Sequence, residues 1–280
     1  MDIRYGMNPR DVDKYTTSEL REELVYSNFF VVDEIKYMFT HVDRALIGGA
    51  LPQTQELCLD DFINAKKDLG AEIPLENREV ACINLGGEGY VIVGGKRYDV
   101  GYTTAIYVGK GSEHVTFGSV DYANPAKFYF YSTPAHKKYE TEVITKEMAV
   151  KIELGSIMEC NERVIHQYIR PGVKDSCQVL LGYTQMKEGS VWNSMPTHTH
   201  ERRTEAYMYF NMKETDRVVH LMGEPENTRH LIMENEQLVI SPAWSIHSGV
   251  GNSSYGFIWG MAGENRDLGD ATSYTISELK

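Results

Sequence analysis

Short strand-like runs separated by turn residues recur along this chain of 280 residues, and no other feature constrains its fold as strongly. The runs are rich in Val, Ile, Tyr and Phe and end at Gly, Pro or Asn. Helical periodicity is scarce, although residues 60–70 and 146–154 are each compatible with a short helix. Many short strands at near-even spacing are typical of sandwiches and barrels, so the sequence predicts a mainly β protein.

The predicted strands fall into two groups. A glycine pair at 94–95 divides residues 81–100 into a hairpin. Further strand-like runs lie at 105–109, 114–120, 127–134, 177–186, 205–212, 217–223, 230–241 and 255–261. Between the two groups, residues 136–148 are charged and poor in turn residues, which favours a domain boundary there. We therefore expect two β domains, residues 1–140 and 141–280.

Charge and cysteine content narrow the possible partners. The chain has 28 Lys and Arg against 40 Asp and Glu, a formal net charge of -12, which argues against nucleic acid or an anionic membrane as the main partner. Its four cysteines include no CxxC pair and are too sparse for a disulfide framework. The sequence contains no signal-like start and no apolar run of about 18 residues. These features predict a soluble, cytoplasmic protein and leave an anionic small substrate possible.

The segment HTHERRTE, which starts at His198, is the strongest sign of chemistry in the sequence. Side chains alternate between the two faces of a strand, so His198 and His200 should point the same way, roughly 7 Å apart. Glu205 begins the alternating run EAYMYF and should share a face with Tyr207. His247, in SPAWSIHSGVG, lies opposite His198 if the two strands pair. We therefore predict that three imidazoles and one carboxylate converge.

This set of side chains suits a divalent ion of the Zn, Fe, Mn, Co or Ni type, and ligand type alone does not choose among them. Four protein ligands plus a water or a substrate make a five- or six-coordinate site, which leaves room for catalysis. Structural zinc usually has cysteine ligands and closes at four, so it fits poorly. A histidine pair alone is a weak signal, and the added Glu205 and His247 strengthen it.

The spacing His-x-His-x4-Glu, followed by Pro242-x4-His247, resembles the two metal motifs of the cupin superfamily. Longer blocks are similar to the 5-keto-4-deoxyuronate isomerase family, and they lie at 41–52, 82–87, 107–112, 124–136, 195–212, 221–251 and 257–265. The resemblance implies a bicupin of two jelly-roll-like β-barrels, commonly a homo-hexamer. It also implies one zinc ion per chain, held by His198, His200, Glu205 and His247.

The same resemblance implies the reaction. It is the conversion of 5-dehydro-4-deoxy-D-glucuronate to 3-deoxy-D-glycero-2,5-hexodiulosonate, an aldose–ketose isomerisation of pectin and uronate breakdown. The first domain resembles a degenerate cupin, because GKGSEH, ending at His114, imitates the second motif while no HxH pair precedes it. We therefore expect His114 to be an ordinary hydrogen-bonded histidine and the chain to hold a single metal site.

Such an isomerisation needs a base that moves a proton between neighbouring carbons and a group that binds the substrate carboxylate. The candidate bases are Glu205, Glu201, His166 and Tyr207, with Glu205 favoured as a metal ligand. The candidate carboxylate-binding residues are Arg163, Arg202 and Arg203, because a guanidinium suits a carboxylate bidentately. In a regular strand only one of Arg202 and Arg203 faces inward.

Two other functions are compatible with the same residues. An Fe(II) cupin dioxygenase uses a similar ligand set and would consume oxygen. A non-catalytic sugar-binding bicupin would bind its ligand without turnover. The extended resemblance favours the isomerase over both.

Overall fold

The structure, a computed structural model, describes residues 1–264 and 268–280. In chain order, its strands are β1 (Asp2–Arg4), β2 (Val25–Tyr26), β3 (Ile35–Thr40), β4 (Leu46–Ala50), β5 (Leu57–Cys58), β6 (Arg78–Asn84), β7 (Gly89–Val93), β8 (Lys96–Val100), β9 (Ala105–Val108), β10 (Thr116–Ser119), β11 (Phe128–Pro134), β12 (Glu142–Ile144), β13 (Val150–Leu154), β14 (Arg163–Ile169), β15 (Leu180–Met186), β16 (Trp192–His200), β17 (Arg203–Phe210), β18 (Val218–Glu224), β19 (Asn227–Met233), β20 (Leu238–Ser241), β21 (His247–Gly251), β22 (Gly256–Gly263) and β23 (Ala271–Tyr274). The prediction of a mainly β fold is confirmed.

Helices are few and short. The α-helices are α1 (Thr17–Leu24) and α2 (Leu59–Phe62), with a π-helical turn at Ala65–Leu69 and 3-10 turns at Pro9–Asp11, Ile157–Glu159 and Ile276–Glu278. A capping box begins α1, in which Thr16 and Glu19 satisfy each other's backbone N–H groups. Among the described helices, none has the length and apolar character needed to cross a membrane.

The prediction of a helix at 146–154 was wrong, because its second half is strand β13. Val150, Ile152 and Leu154 alternate with charged residues, and this period of two favours a strand paired with β14. The hairpin predicted around the glycine pair is confirmed. Gly94 and Gly95 have φ values of 54° and 81° and join β7 to β8, a turn that favours glycine at both positions.

The chain divides into two compact units, each assembled from more than one segment. Unit 1 comprises Met1–Ile3, Asn28–Ala149 and Tyr168–Leu180, and unit 2 comprises Arg4–Ser27, Val150–Gln167 and Leu181–Lys280. The expected domains, residues 1–140 and 141–280, are each one continuous segment, whereas each unit combines three segments of the chain. Strand pairing accounts for the early segment of unit 2, because β2 extends the sheet beside β20.

Unit 1 consists of a seven-stranded sheet in the order β1-β3-β4-β11-β6-β9-β12 and a four-stranded sheet in the order β5-β10-β7-β8. Aliphatic and aromatic side chains fill its core. Phe117 packs against Phe128 and Phe130, with ring centroids 5.0 and 6.2 Å apart, and all three are fully buried. The cluster around these three rings is therefore apolar.

Unit 2 consists of a seven-stranded sheet in the order β13-β14-β15-β22-β17-β20-β2 and a five-stranded sheet in the order β19-β18-β21-β16-β23. Strand β17 lies between β22 and β20, and every one of its residues is buried. Strand β16 pairs with β21, and their register shifts between Asn193 and His198. These two strands, β16 and β17, carry three of the four predicted metal ligands, His198, His200 and Glu205.

Candidate metal centre

The four predicted ligands meet in unit 2. The donor atoms of His198, His200, Glu205 and His247 all lie within 4.8 Å of one another. His198 and His247 are register partners across β16 and β21, as predicted, and their Nε2 atoms are 3.1 Å apart. Glu205 Oε2 lies 3.0 Å from the Nε2 atoms of both His200 and His247.

Strand geometry explains this convergence. His198 and His200 are two residues apart on β16 and project from one face of the five-stranded sheet. A two-residue turn leads to β17 in the seven-stranded sheet, which supplies Glu205 from the other side. The cluster therefore lies between the two sheets of unit 2.

Neighbouring acceptors orient two of the imidazoles. His247 Nδ1 lies 3.1 Å from Ser241 Oγ, whose hydroxyl donates to the Ser245 carbonyl at 3.3 Å. Because that hydroxyl proton is used, Ser241 accepts from Nδ1–H of His247, and the Nε2 lone pair faces the cluster. His200 Nδ1 likewise lies 3.3 Å from a carboxylate oxygen of Asp270.

The donor set fits a divalent metal ion. Glu205 Oε2 and the Nε2 atoms of His200 and His247 all present lone pairs, so at 3.0 Å they repel one another unless a cation lies among them. Zinc–nitrogen bonds measure about 2.0–2.1 Å, and two such ligands at right angles lie about 3 Å apart. The observed separations therefore match those of ligands around one ion.

Burial also keeps the ligands in the forms that bind metals. Burial, followed by the proximity of His247, lowers the pKa of His198 to about 3, so its imidazole is neutral at physiological pH. Few protons therefore compete with an ion for these atoms.

The cluster forms part of the wall of a cavity of about 540 Å³ in unit 2. Besides three of the cluster residues, the lining comprises Leu154, Gly155, Glu159, Asn161, Arg163, Ile165, Gln167, Thr184, Asn193, Ser194, Met195, Pro196, Tyr207, Phe257, Trp259, Met261, Leu268, Ala271 and Ser273. The wall combines apolar and aromatic side chains with many polar ones, and a cavity with convergent polar groups is typical of a small-molecule site.

The KduI/IolB family matches residues 37–276, most of the chain. The chain belongs to the KduI/IolB family. Two relatives aligned over all 280 residues, covering both chains completely, are named 4-deoxy-L-threo-5-hexosulose-uronate ketol-isomerase: one from Lachnoclostridium phytofermentans, 50% identical, and one from Pectobacterium carotovorum, 44% identical. An IolB-like protein from Salmonella typhimurium LT2 shares the fold, with a TM-score of 0.74 at 12% identity, covering 90% of this chain and 96% of that one.

Of the arginines predicted to bind a carboxylate, one lines the cavity of this KduI/IolB protein. Arg163 is buried, and its two terminal nitrogens donate to the carbonyls of Asn161 and Met195 at 2.9 and 3.3 Å. Arg203 faces inward but is fully buried against the Asp270 carboxylate, outside the described cavity lining. Arg202 lies exposed in the turn, so neither Arg202 nor Arg203 belongs to the described cavity lining, and their contact with the substrate stays a prediction.

The candidate bases divide in the same way. Glu205 and Tyr207 line the cavity. Glu201 is exposed in the turn after His200, and His166 lies outside the described lining. Strand alternation explains why His166 lies outside the lining. Its neighbours in β14 face the cavity, whereas its own ring stacks on Tyr183, with the ring centroids 4.9 Å apart.

Sequence reasoning missed several polar residues of the site. Asn193, Ser194 and Thr184 line the cavity, and the Ser194 hydroxyl lies 3.0 Å from that of Tyr207. Asp270 orients His200 from a distant part of the chain. None of these belongs to a motif, and only the alternation within β16 links Ser194 to the predicted histidines.

Proposed function

We propose that this KduI/IolB enzyme is a metal-dependent ketol-isomerase that converts 5-dehydro-4-deoxy-D-glucuronate to 3-deoxy-D-glycero-2,5-hexodiulosonate. The observation that carries the proposal is the convergence of His198, His200, Glu205 and His247, three of which line the cavity. Full-length relatives named for this activity support it. We propose zinc as the ion at this cluster, because imidazole and carboxylate ligands suit it.

The reaction moves a proton between the two carbons of an α-hydroxy aldehyde, and negative charge develops on oxygen as it does so. His198, His200, Glu205 and His247 would hold a divalent ion, which would supply Lewis-acid stabilisation of that charge. The chain itself must hold the sugar acid, keep water away and supply the groups that move the proton.

Glu205 and Tyr207 are suited to different parts of the proton transfer. The Glu205 oxygen that faces the imidazoles is Oε2, and we assign the second carboxylate oxygen to accept a proton from the substrate. Burial raises the pKa of Tyr207 well above its ordinary value, so its hydroxyl stays protonated. We therefore assign Glu205 as ligand and base, and Tyr207 as a hydrogen-bond donor to a substrate oxygen.

Arg163 is the residue that we assign to the substrate carboxylate. Its guanidinium has five N–H donors, and its hydrogen-bond partners among the described residues are neutral carbonyls. A buried positive charge without a carboxylate partner is costly, and a substrate carboxylate would relieve that cost. Arg203 differs, because Asp270 already neutralises it.

The remaining parts of the proposal concern assembly and setting. We propose a homo-hexamer, a role in pectin and uronate breakdown, and a cytoplasmic location. The four cysteines are free thiols, which suits a reducing compartment. A small sugar acid, in this proposal, is the chain's principal partner.

The test is proton NMR of the unsaturated-uronate breakdown product incubated without oxygen with the purified protein. Product signals should grow, cease after chelation and return when zinc is added back. His247→Ala is the matched control and should stay inactive with added zinc. Conversion that requires oxygen would point to a dioxygenase. Binding of the substrate to the zinc-loaded protein without conversion would contradict the proposed isomerase activity.

A further inference from the structure

A second cluster of metal-binding side chains lies in unit 1, far from the cavity residues in sequence. The donor atoms of Cys58, Asp60 and His114 lie within 4.8 Å of one another. Cys58 Sγ donates to Asp60 Oδ2 at 3.3 Å, and His114 Nδ1 lies 4.0 Å from the same oxygen. The His114 side chain is 74% exposed, and Cys58 and Asp60 are partly buried.

Backbone pairing fixes this arrangement. Strand β10 pairs with β5, so that Thr116 lies opposite Cys58, and the Leu59 N–H donates to the Val115 carbonyl at 2.9 Å. His114 precedes this pairing, and Asp60 follows it in α2. The two backbones therefore hold the three side chains together, whereas the side chains themselves make only one short contact.

The chemistry of this cluster differs from that of the cavity cluster. A thiolate, an imidazole and a carboxylate are all zinc ligands, and three of them with an open fourth position form a common zinc arrangement. With bonds of about 2.3 Å to sulfur and 2.0–2.2 Å to nitrogen and oxygen, neighbouring ligands in a tetrahedron lie about 3.4–3.6 Å apart. The observed 3.3 and 4.0 Å lie close to these values, and the exposed His114 ring can turn to close the difference.

We propose that Cys58, Asp60 and His114 form a second metal site, which binds one divalent ion of the zinc class with an open position for water. This proposal departs from the expectation that His114 is an ordinary histidine and that the chain holds a single metal site. The inference does not rest on the proposed isomerase activity, because the two clusters share no residue.

The test uses cobalt(II) as the probe, because a thiolate bound to cobalt gives a charge-transfer absorption that imidazole and carboxylate ligands lack. The chelated full-length protein is titrated with cobalt, and the bound ion is counted. Cys58→Ser removes the proposed thiolate, and Cys160→Ser is the matched control, since Cys160 is an exposed free cysteine outside both clusters. His114→Gln tests the imidazole.

We expect the thiolate absorption in the wild-type protein and in Cys160→Ser. Cys58→Ser should lose this absorption and should bind one cobalt ion fewer. His114→Gln should weaken cobalt binding at this site. Cys58→Ser should also keep the isomerase activity of the zinc-loaded protein. Absence of the absorption from the wild-type protein, its survival in Cys58→Ser, or its loss in Cys160→Ser would each overturn the proposal. Circular dichroism verifies that each variant is folded.

Discussion

Each unit buries a glutamate carboxylate, and the two are held in opposite ways. Glu79 in unit 1 is fully buried and accepts hydrogen bonds from the Tyr107 hydroxyl at 2.7 Å and the Thr133 hydroxyl at 3.2 Å. The backbone N–H groups of residues 177, 178 and 179 donate to it at 2.6–3.0 Å. Every contact of Glu79 is thus with a donor.

Glu205 in unit 2 is buried to a similar extent, but the imidazole nitrogens 3.0 Å from its Oε2 atom present lone pairs to it. The Nδ1 atoms of His200 and His247 point towards other acceptors, so their Nε2 lone pairs meet the Glu205 carboxylate. Hydrogen-bond donors stabilise one carboxylate, and the other calls for a cation. Burial of a glutamate is therefore not itself a sign of function, and the identity of its neighbours is.

The largest expected effect comes from Glu205→Gln, which removes the charge without changing the shape. We expect this variant to lose the cavity metal and, with it, several kcal/mol of Lewis-acid stabilisation of the transition state. That loss corresponds to a drop in kcat/KM of roughly three to four orders of magnitude. The free energy of unfolding of the metal-free variant should lie within about 1 kcal/mol of that of the metal-free wild-type protein. Metal analysis, steady-state kinetics and urea unfolding measure these quantities. Full activity of Glu205→Gln would contradict the interpretation of this cluster as a metal centre.

The same substitution at Glu79 should act on stability. Glu79→Gln places an amide N–H₂ group against several N–H and O–H donors, so we expect a loss of about 3–5 kcal/mol in the free energy of unfolding. Far-UV circular dichroism in urea measures this loss. All three tryptophans, Trp192, Trp244 and Trp259, belong to unit 2, so their fluorescence reports on that unit. The folded variant should keep its fluorescence and its activity per bound metal ion. A selective loss of metal would contradict the distinction between a structural Glu79 and a metal-binding Glu205.

These two glutamates also show what a sequence can reveal. The position of Glu205 beside His198 and His200 was predictable because these residues lie nearby in sequence, and strand alternation fixes their directions. The role of Glu79 depends on residues 177–179, almost a hundred positions away, and no local pattern signals it.

The same limit applies to the other residues of the site. Arg163 alternates onto the cavity face of β14, whereas Arg203 also faces inward but is taken up by Asp270, which no spacing could indicate. Long-range pairing of β5 with β10 likewise brings Cys58 to His114. Local periodicity thus predicts direction, and only the tertiary fold determines the partner.

A smaller effect is expected from Asp270→Asn, which weakens the orientation of His200. Such substitutions beside a ligand typically reduce metal affinity by roughly 10- to 100-fold. Competition with a chelator of known affinity measures the change. Asp99, whose side chain is 80% exposed in unit 1, provides the control, and Asp99→Asn should leave the affinity unchanged. If Asp270→Asn also binds metal normally, its carboxylate serves mainly to neutralise Arg203.

The smallest effect concerns the two buried arginines, one paired with Asp270 and one free of a carboxylate partner among the described residues. Arg163→Lys keeps the positive charge but loses the planar fork that binds a carboxylate bidentately. Loss of one charge-assisted hydrogen bond should raise KM about tenfold while kcat changes little.

Arg202→Lys is the matched control, because Arg202 lies beside the metal motif but is exposed. A higher KM in Arg202→Lys with an unchanged KM in Arg163→Lys would place the substrate carboxylate at the turn and not at the cavity wall. A higher KM in Arg163→Lys alone would show that an inward guanidinium serves the substrate when no carboxylate of the chain pairs with it, which is the logic that separates Glu205 from Glu79.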